Sequence, residues 1–216
     1  VISMLCALGA KSVVVADDNA QALSHIADGG ETELRLLSVA EAIDTLDVWQ
    51  PQLVVTSPGW KPESPLLARA SELSILVIGD IAAAWLADQA GAFGEPRTWL
   101  AVTGTNGKTT TTAMLTSMLV ADGRAALAVG NIGIAPAAAL AAQHRGEPRS
   151  DVFVAEVSSF QLHWAPMFVP TVGCILNLAE DHLDWHGSYE NYCANKAQVL
   201  TAPESVLALD LSLIHI

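Results

Sequence analysis

The chain has 216 residues, enough for one large or two small domains with a sizeable core. Its 23 acidic residues outnumber its 10 basic ones, and the formal charge of −13 disfavours electrostatic binding to nucleic acid or to an anionic membrane. Three widely spaced cysteines indicate no disulfide framework and favour the cytosol. The apolar residues 1–10 are half as long as a membrane span and lack the flanks of a signal peptide.

The first predicted strand is followed by two acidic residues. Residues 1–10 are typical of a helix that ends at Gly9, and the apolar run 12–16 predicts a strand that stops at Asp17 and Asp18. Acidic residues at the end of a strand are where Rossmann-type units bind a ribose hydroxyl. A solvated turn that caps the next helix is the alternative.

Apolar strands then alternate with helical segments, with strands at 52–56 and 75–78 and helices at 64–73 and 81–90. This alternation predicts a parallel sheet covered by helices on both faces. Residues 91–98, GAFGEPRT, contain two glycines and a proline, and we place a domain boundary there. The predicted domains are residues 1–92 and 93–216.

The second predicted domain opens with a phosphate loop. The apolar strand 99–102 leads into Gly104-Thr105-Asn106-Gly107-Lys108-Thr109, and a helix is predicted over 109–122. Glycines let backbone N–H groups surround a polyphosphate, Lys108 reaches the outer phosphates, and the Thr109 hydroxyl is suited to Mg²⁺. The common G-x4-G-K-[ST] pattern has glycine where this chain has Val102. A turn with a chance GKT is the alternative.

Two later strands also end in polar residues. The predicted strand 125–129 ends in the turn Gly130-Asn131-Ile132-Gly133, which at this place in an open α/β sheet points into a ligand crevice or is an ordinary loop. The strand 151–155 stops at Glu156. A carboxylate directly after a buried strand, near a phosphate loop, is placed to bind Mg²⁺ or to orient a nucleophile, and a surface glutamate is the alternative.

The strand 171–176 leads into a loop rich in ionisable groups. Three carboxylates and two histidines lie within seven residues of it: Glu180, Asp181, His182, Asp184 and His186. These groups can bind a metal, transfer protons or form a solvated loop. The loop leaves the carboxyl end of a strand in the same predicted sheet as Glu156, which favours function.

A final helix is predicted over 188–200, with Ser188 as its N-cap, and a short strand over 206–209. Lys196 lies on the apolar stripe of this helix. A lysine there extends its amine to solvent, pairs with a carboxylate, or loses its proton. A neutral amine can add CO2 to become a carbamate.

These motifs, in this order and spacing, resemble the Mur ligase family. The matching stretches are SPG (57–59), GDI (79–81), TGTNGKTT (103–110), GNIG (130–133), EVSSFQL (156–162), ILNLAEDHLD (175–184) and the lysine of NKAQVL (195–200). The resemblance implies that this form of the phosphate loop is shared with folylpolyglutamate synthases. It accounts for Val102 at the position where the common pattern has glycine. GNIG and SSFQL narrow the resemblance to the members that add D-glutamate.

The resemblance implies an α/β fold with a Rossmann-like N-terminal domain and a P-loop central domain with a mainly parallel sheet. It implies a cytoplasmic, monomeric ligase of peptidoglycan synthesis, with no nucleic-acid partner. ATP would phosphorylate the alanyl carboxylate of UDP-N-acetylmuramoyl-L-alanine, and D-glutamate would attack the acyl phosphate to give an amide, ADP and phosphate. Two cations would neutralise the reacting anions.

The resemblance also implies roles for individual residues. The nucleotide site would comprise Gly104, Thr105, Asn106, Gly107, Lys108, Thr109 and Thr110, with Lys108, Glu156, His182 and Lys196 as the catalytic set. Two Mg²⁺ ions would be held by Thr109, Glu156, His182 and a carbamylated Lys196. The substrate would contact Asn131, Ser158, Gln161 and His182, and its uridine part Asp17, Asp18 and Gly59.

Against the family pattern, we expect the chain to lack the first strand of the Rossmann-like domain, the end of the central domain and the C-terminal ligase domain. Residues 211–216, LSLIHI, do not resemble the family's continuation, which predicts a foreign tail. Such a chain is not expected to make the amide bond by itself. A folylpolyglutamate synthase-like ligase and a non-catalytic nucleotide-binding module are the alternatives.

Overall fold

The computed structural model describes residues 1–26, 29–201 and 206–207. Its α-helices are α1 (Ile2–Ala7), α2 (Ala20–Ser24), α3 (Val39–Trp49), α4 (Pro65–Glu72), α5 (Asp80–Gln89), α6 (Lys108–Ala121), α7 (Pro136–His144), α8 (Ser159–His163), α9 (Leu183–His186) and α10 (Tyr189–Ala197). Its strands are β1 (Ser12–Ala16), β2 (Glu33–Leu37), β3 (Leu53–Thr56), β4 (Leu76–Gly79), β5 (Thr98–Thr103), β6 (Ala126–Gly130), β7 (Val152–Glu156), β8 (Val172–Ile175) and β9 (Val206–Leu207). None of the described helices is long and apolar enough to cross a bilayer.

The strands of the first half pair in parallel, as predicted, but in two separate sheets. β1 pairs only with β2, and β3 pairs only with β4. The expectation of one sheet is therefore wrong, because no strand in the described ranges hydrogen-bonds to both pairs. Residues 19–51 carried no prediction, and they form α2, β2 and α3.

The second half contains one five-stranded parallel sheet in the order β6-β7-β5-β8-β9. All five residues of β7 are buried, as expected of an interior strand covered on both faces. Parallel pairing places the carboxyl ends of β5, β6, β7 and β8 at one edge. This edge is where the predicted site residues begin.

A hydrophobic core joins the two halves across the predicted boundary. Buried residues of α1, β4 and α5 belong to the same cluster as those of α7, β7 and the segment after α8. A buried ion pair between Asp88 and Arg97 strengthens this junction, and the Trp99 indole donates to the same carboxylate at 2.8 Å. The exact domain bounds stay a prediction.

The last helix, α10, begins where it was predicted to begin but ends earlier. Ser188 is the N-cap of α10, as predicted, and accepts a hydrogen bond from the Asn191 N–H at 3.1 Å. The helix ends at Ala197, and Gln198–Thr201 tightens into a 3₁₀ turn, so the predicted extent to residue 200 is wrong. Of the strand predicted over 206–209, residues 206–207 form β9. Residues 208–209 and the predicted tail 211–216 lie outside the described residues.

Candidate active site

The phosphate loop joins β5 directly to α6. Gly104 has φ +151° and Gly107, the N-cap of α6, has φ +82°, backbone conformations that favour glycine. A Cβ at Gly104 would lie 3.1 Å from the Leu176 Cβ and 3.3 Å from the Asn177 N. Both glycines are therefore required by the loop's shape, and the loop ends at the positive end of a 14-residue helix.

Two lysines meet at the same carbonyl of this loop. The Lys108 amine donates to the Gly104 O at 2.9 Å and to the Thr105 O at 2.8 Å, and the Lys196 amine donates to the Gly104 O at 2.8 Å. The Lys196 side chain is buried, so it does not extend to solvent. Burial, and then the nearby Lys108, lower the pKa of Lys196 to about 7. A large fraction of this amine is thus neutral near physiological pH.

Glu156 ends β7 between β5 and β6, and it is only 1% exposed. Its Oε1 accepts a hydrogen bond from the Asn131 Nδ2 at 2.8 Å, whereas its Oε2 is buried without a hydrogen-bond partner among the described residues. Gly130 permits this arrangement, because a Cβ there would lie 2.2 Å from the Glu156 O. An oriented carboxylate with an unpaired buried oxygen fits a cation ligand.

The two histidines of the 180–186 loop have different environments. His182 is exposed, has a left-handed backbone with φ +52°, and lies 4.8 Å from the Phe160 ring between centroids. His186 is buried, and its Nε2 lies 2.9 Å from the Ser159 Oγ. Burial, followed by nearby positive groups, lowers the pKa of His186 to about 4. His186 is therefore a neutral packing residue, and His182 is the one available to a ligand.

A cavity of about 140 Å³ lies between these elements. Five predicted residues line it, namely Lys108, Asn131, Ser158, His182 and Lys196. Four further residues complete its wall, namely Ser159, Phe160, Asp181 and Tyr192. The sequence analysis had named Asp181 among the ionisable groups of its loop without a specific role. The other three could have been found from their neighbours, because Ser159 and Phe160 adjoin predicted residues and Tyr192 lies one helical turn before Lys196.

Other predicted residues of the second half lie outside the cavity wall. Thr109 and Thr110 are exposed on the first turn of α6. Gln161 is buried, where it completes a capping box with Ser158 and donates to the Asp80 Oδ2 at 3.3 Å. The described residues contain no group of three His, Cys, Asp or Glu side chains arranged for a metal.

The predicted uridine contacts of the first half lie at exposed strand ends. The Asp17 carboxylate accepts from the Asn19 N–H at 2.8 Å, and that of Asp18 accepts from the Val39 N–H at 2.9 Å. Asp18 thus accepts the first N–H of α3, whose N-cap is Ser38, whereas the N-cap of α2 is Asn19. The Gly59 O accepts a hydrogen bond from the Trp185 indole at 3.0 Å. Their predicted contacts with a nucleotide stay predictions.

Residues 102–210, half of the chain, match the family described as the Mur ligase middle domain. The chain belongs to the Mur ligases. This match includes the phosphate loop, Glu156, the 180–186 loop and Lys196, and so covers the whole edge of the sheet at which the cavity lies.

Similar proteins extend the Mur ligase match to the first half. The chain is 90% identical over 210 residues to "UDP-N-acetylmuramoylalanine--D-glutamate ligase" of Corynebacterium jeikeium. The aligned region covers 97% of this chain and 42% of that relative. It is 51% identical over 198 residues to the ligase of the same name from Corynebacterium efficiens, covering 92% and 40%. The chain thus spans about two fifths of the length of these relatives.

A solved Mur ligase structure supports the fold. The UDP-N-acetylmuramate:L-alanyl-gamma-D-glutamyl-meso-diaminopimelate ligase of Neisseria meningitides is 18% identical, with a TM-score of 0.53. The match covers 94% of this chain and 65% of that one. At this identity the likeness shows a shared α/β fold.

Proposed function

We propose that the protein containing this chain is a cytoplasmic, ATP-dependent amide ligase that adds D-glutamate to UDP-N-acetylmuramoyl-L-alanine in peptidoglycan synthesis. The observation that carries the proposal is the 90% identity to a relative of that name, over a region that includes the phosphate loop and the cavity. The reaction requires that a carboxylate attack the terminal phosphate of ATP, although both groups are anions.

The residues that follow β5 would bind the phosphates of ATP. Backbone N–H groups of the loop and the start of α6 provide donors and a positive potential. Lys108 now bonds to two loop carbonyls, and its flexible amine can exchange them for phosphate oxygens. Preset donors of this kind stabilise charge that develops on the transferred phosphoryl group.

The acceptor carboxylate fits the cavity beside this loop. Asn131, Ser158 and His182 line it and offer hydrogen-bond donors to the carboxylate of UDP-N-acetylmuramoyl-L-alanine. The carboxylate oxygen attacks the terminal phosphorus, ADP leaves, and an acyl phosphate forms. The amine of D-glutamate then attacks the acyl carbon, phosphate leaves with the C–O electron pair, and the amine loses a proton.

Mg²⁺ fits the donors at this edge of the sheet. Glu156 supplies an unpaired buried oxygen, and Thr109, His182 and a carbamylated Lys196 would supply the other ligands of two ions. When bound, Mg²⁺ neutralises phosphate and carboxylate charge. The carbamate is supported by the buried Lys196 amine, whose lowered pKa leaves it able to add CO2.

The uridine part of the substrate is proposed to bind the first half, at Asp17, Asp18 and Gly59. Asp17 and Asp18 are exposed at the end of β1 and Gly59 lies after β3, so they are accessible to a ligand.

The test uses the chain extended to the length of its relatives. It is supplied with ATP, Mg²⁺, UDP-N-acetylmuramoyl-L-alanine and D-glutamate, and the amide product is measured by mass spectrometry with ADP and phosphate. We expect one ADP and one phosphate for each amide, and no product with L-glutamate. Product only from a folate substrate and L-glutamate would support a folylpolyglutamate synthase-like ligase, and nucleotide binding without any amide would support a non-catalytic module.

A further inference from the structure

The pairing of β5 with β8 continues beyond the sheet into the phosphate loop. The Leu176 N–H donates to the Thr103 O at 2.9 Å, and the Thr105 N–H donates to the Asn177 O at 3.1 Å. The close approach at Gly104, where a Cβ would be crowded by Leu176 and Asn177, belongs to the same contact. The segment that follows β8 therefore holds one side of the loop.

The side chain of Asn177 adds two hydrogen bonds to a single loop residue. Its Oδ1 accepts from the Asn106 N–H at 2.9 Å, and its Nδ2 donates to the Asn106 O at 3.0 Å. The Asn177 residue is 9% exposed, so these bonds are largely protected from water. Since each bond involves a different peptide group, the pair fixes the peptides on both sides of Asn106.

The second of these peptides carries a donor of the phosphate loop, whereas the N–H of the first is bound by the Asn177 Oδ1. The peptide whose carbonyl is bound by Asn177 also contains the Gly107 N–H, and the C=O and N–H of a trans peptide point in opposite directions. Holding the Asn106 carbonyl on the Asn177 side thus directs the Gly107 N–H away from Asn177. That N–H lies at the N-cap of α6, where helix donors lack intrahelical partners.

Thr105 is held by the same segment. Its Oγ1 accepts from the Ala179 N–H at 3.0 Å and lies 2.8 Å from the Tyr192 hydroxyl. Two successive loop residues are thus fixed from residues 177–179, and the chain then continues to Asp181 and His182 in the cavity wall.

We propose that Asn177 is a positioning residue that holds the phosphate loop in its ATP-binding shape. This inference rests on the proposed function, since it takes the loop to bind ATP. A flexible loop would lose conformational freedom on binding the triphosphate, and the Asn177 bonds impose that order beforehand. The Asn177 amide bonds to the backbone of the loop, so its effect is on the geometry of the loop's donors.

The test compares two substitutions in the 216-residue chain. Asn177→Ala removes both bonds and side-chain volume, whereas Asn177→Leu removes the bonds but keeps a similar volume. Asn191→Ala is the matched control. The Asn191 amide donates to the His186 O at 3.0 Å, and the structure shows no bond from it to the phosphate loop. Calorimetry measures the Kd for MgATP and, separately, for UDP-N-acetylmuramoyl-L-alanine.

We expect both Asn177 variants to raise the Kd for MgATP about tenfold, the loss typical of a buried pair of hydrogen bonds. The Kd for the nucleotide sugar should stay within twofold, and so should both values in Asn191→Ala. Amide hydrogen exchange at Asn106 should be faster in the nucleotide-free variants. This split between two ligands separates positioning of the loop from a general loss of structure.

Two results would overturn the inference. Wild-type affinity for MgATP in Asn177→Leu would show that volume, and not hydrogen bonding, is the contribution of Asn177. An equal loss of affinity for both ligands would show a general structural role. If the unsubstituted chain bound no MgATP, the proposed function of the loop would fail first, and the inference with it.

Discussion

The two halves of the chain place their candidate ligand-binding residues in contrasting surroundings. In residues 1–92 the strands pair in twos, and Asp17, Asp18 and Gly59 are exposed at strand ends. In residues 93–201 and 206–207 a five-stranded sheet with a fully buried interior strand, β7, places Glu156 out of water, and Lys196 of α10 is buried as well. Burial changes the chemistry of a residue, because desolvation shifts its pKa and leaves its polar atoms dependent on a few partners.

The largest effect is expected at the loop lysine. Lys108→Ala, in the chain extended to the length of its relatives, should lower kcat/KM about 10²–10³-fold, since it removes a preset charge at the phosphates. The melting temperature should change little, because the side chain bonds only to loop carbonyls. Lys11→Ala, an exposed lysine of the first half, is the control and should leave both values unchanged. Unchanged turnover in Lys108→Ala would refute the assignment.

A comparably large loss is expected at the buried lysine. Lys196→Ala in the same extended protein should lower kcat about 10²-fold, because the proposed carbamate would be lost as a Mg²⁺ ligand. Acetate or formate should restore part of the activity by occupying the space of the carbamate. Chloride at equal ionic strength is the control and should restore none. Full activity without any added carboxylate would contradict the carbamate.

Two glycine substitutions sharpen the contrast in stability. Gly130→Ala should destabilise the chain by about 3 kcal/mol or more, because its Cβ would lie 2.2 Å from the Glu156 O at a position with φ +104°. The Cβ added by Gly59→Ala would have no neighbour within 4 Å, so this substitution should lower the free energy of unfolding by less than about 0.5 kcal/mol. Denaturant unfolding measures both. Equal losses of unfolding free energy in the two variants would contradict this contrast between the halves.

The smallest effect concerns pH. Because burial holds the pKa of His186 near 4, against about 6.5 in the unfolded chain, the unfolded state binds more protons between these values. Stability from the neutral imidazole is thus present above pH 6.5 and is lost as the pH falls towards 4. As the pH falls from 6.5 to 4, the melting temperature of His186→Gln should therefore fall less than that of the unsubstituted chain. His163, whose pKa burial also lowers, stays in both proteins, so an identical slope would refute the role of His186.

Local signals predicted much of the second half. The apolar run before Gly104, the helix after Gly107 and the carboxylate at the end of β7 each depend on neighbouring residues, and the structure has all three. The first half was predicted less well. Residues 38–41, SVAE, carry the capping-box pattern that starts α3, and attention to it would have found that helix.

Contacts between distant segments decided the remaining features. No local pattern distinguishes His182, which faces the cavity, from His186, which packs beside Ser159. Gln161 was predicted to contact substrate; its amide bonds to Ser158 and Asp80, and the substrate contact stays a prediction. Asn177 had no predicted role of its own and belonged only to the matched stretch 175–184.

The sequence by itself determined every described strand except β2, the phosphate loop and the family, because these depend on residues close together in the chain. Only the tertiary structure decided that the first four strands form two separate pairs, that Lys196 is buried beside Lys108, and that Asn177 bonds to Asn106. Each of these depends on which distant backbones lie side by side. Burial and hydrogen-bond partners follow from that pairing, and with them the charge state and freedom of each side chain.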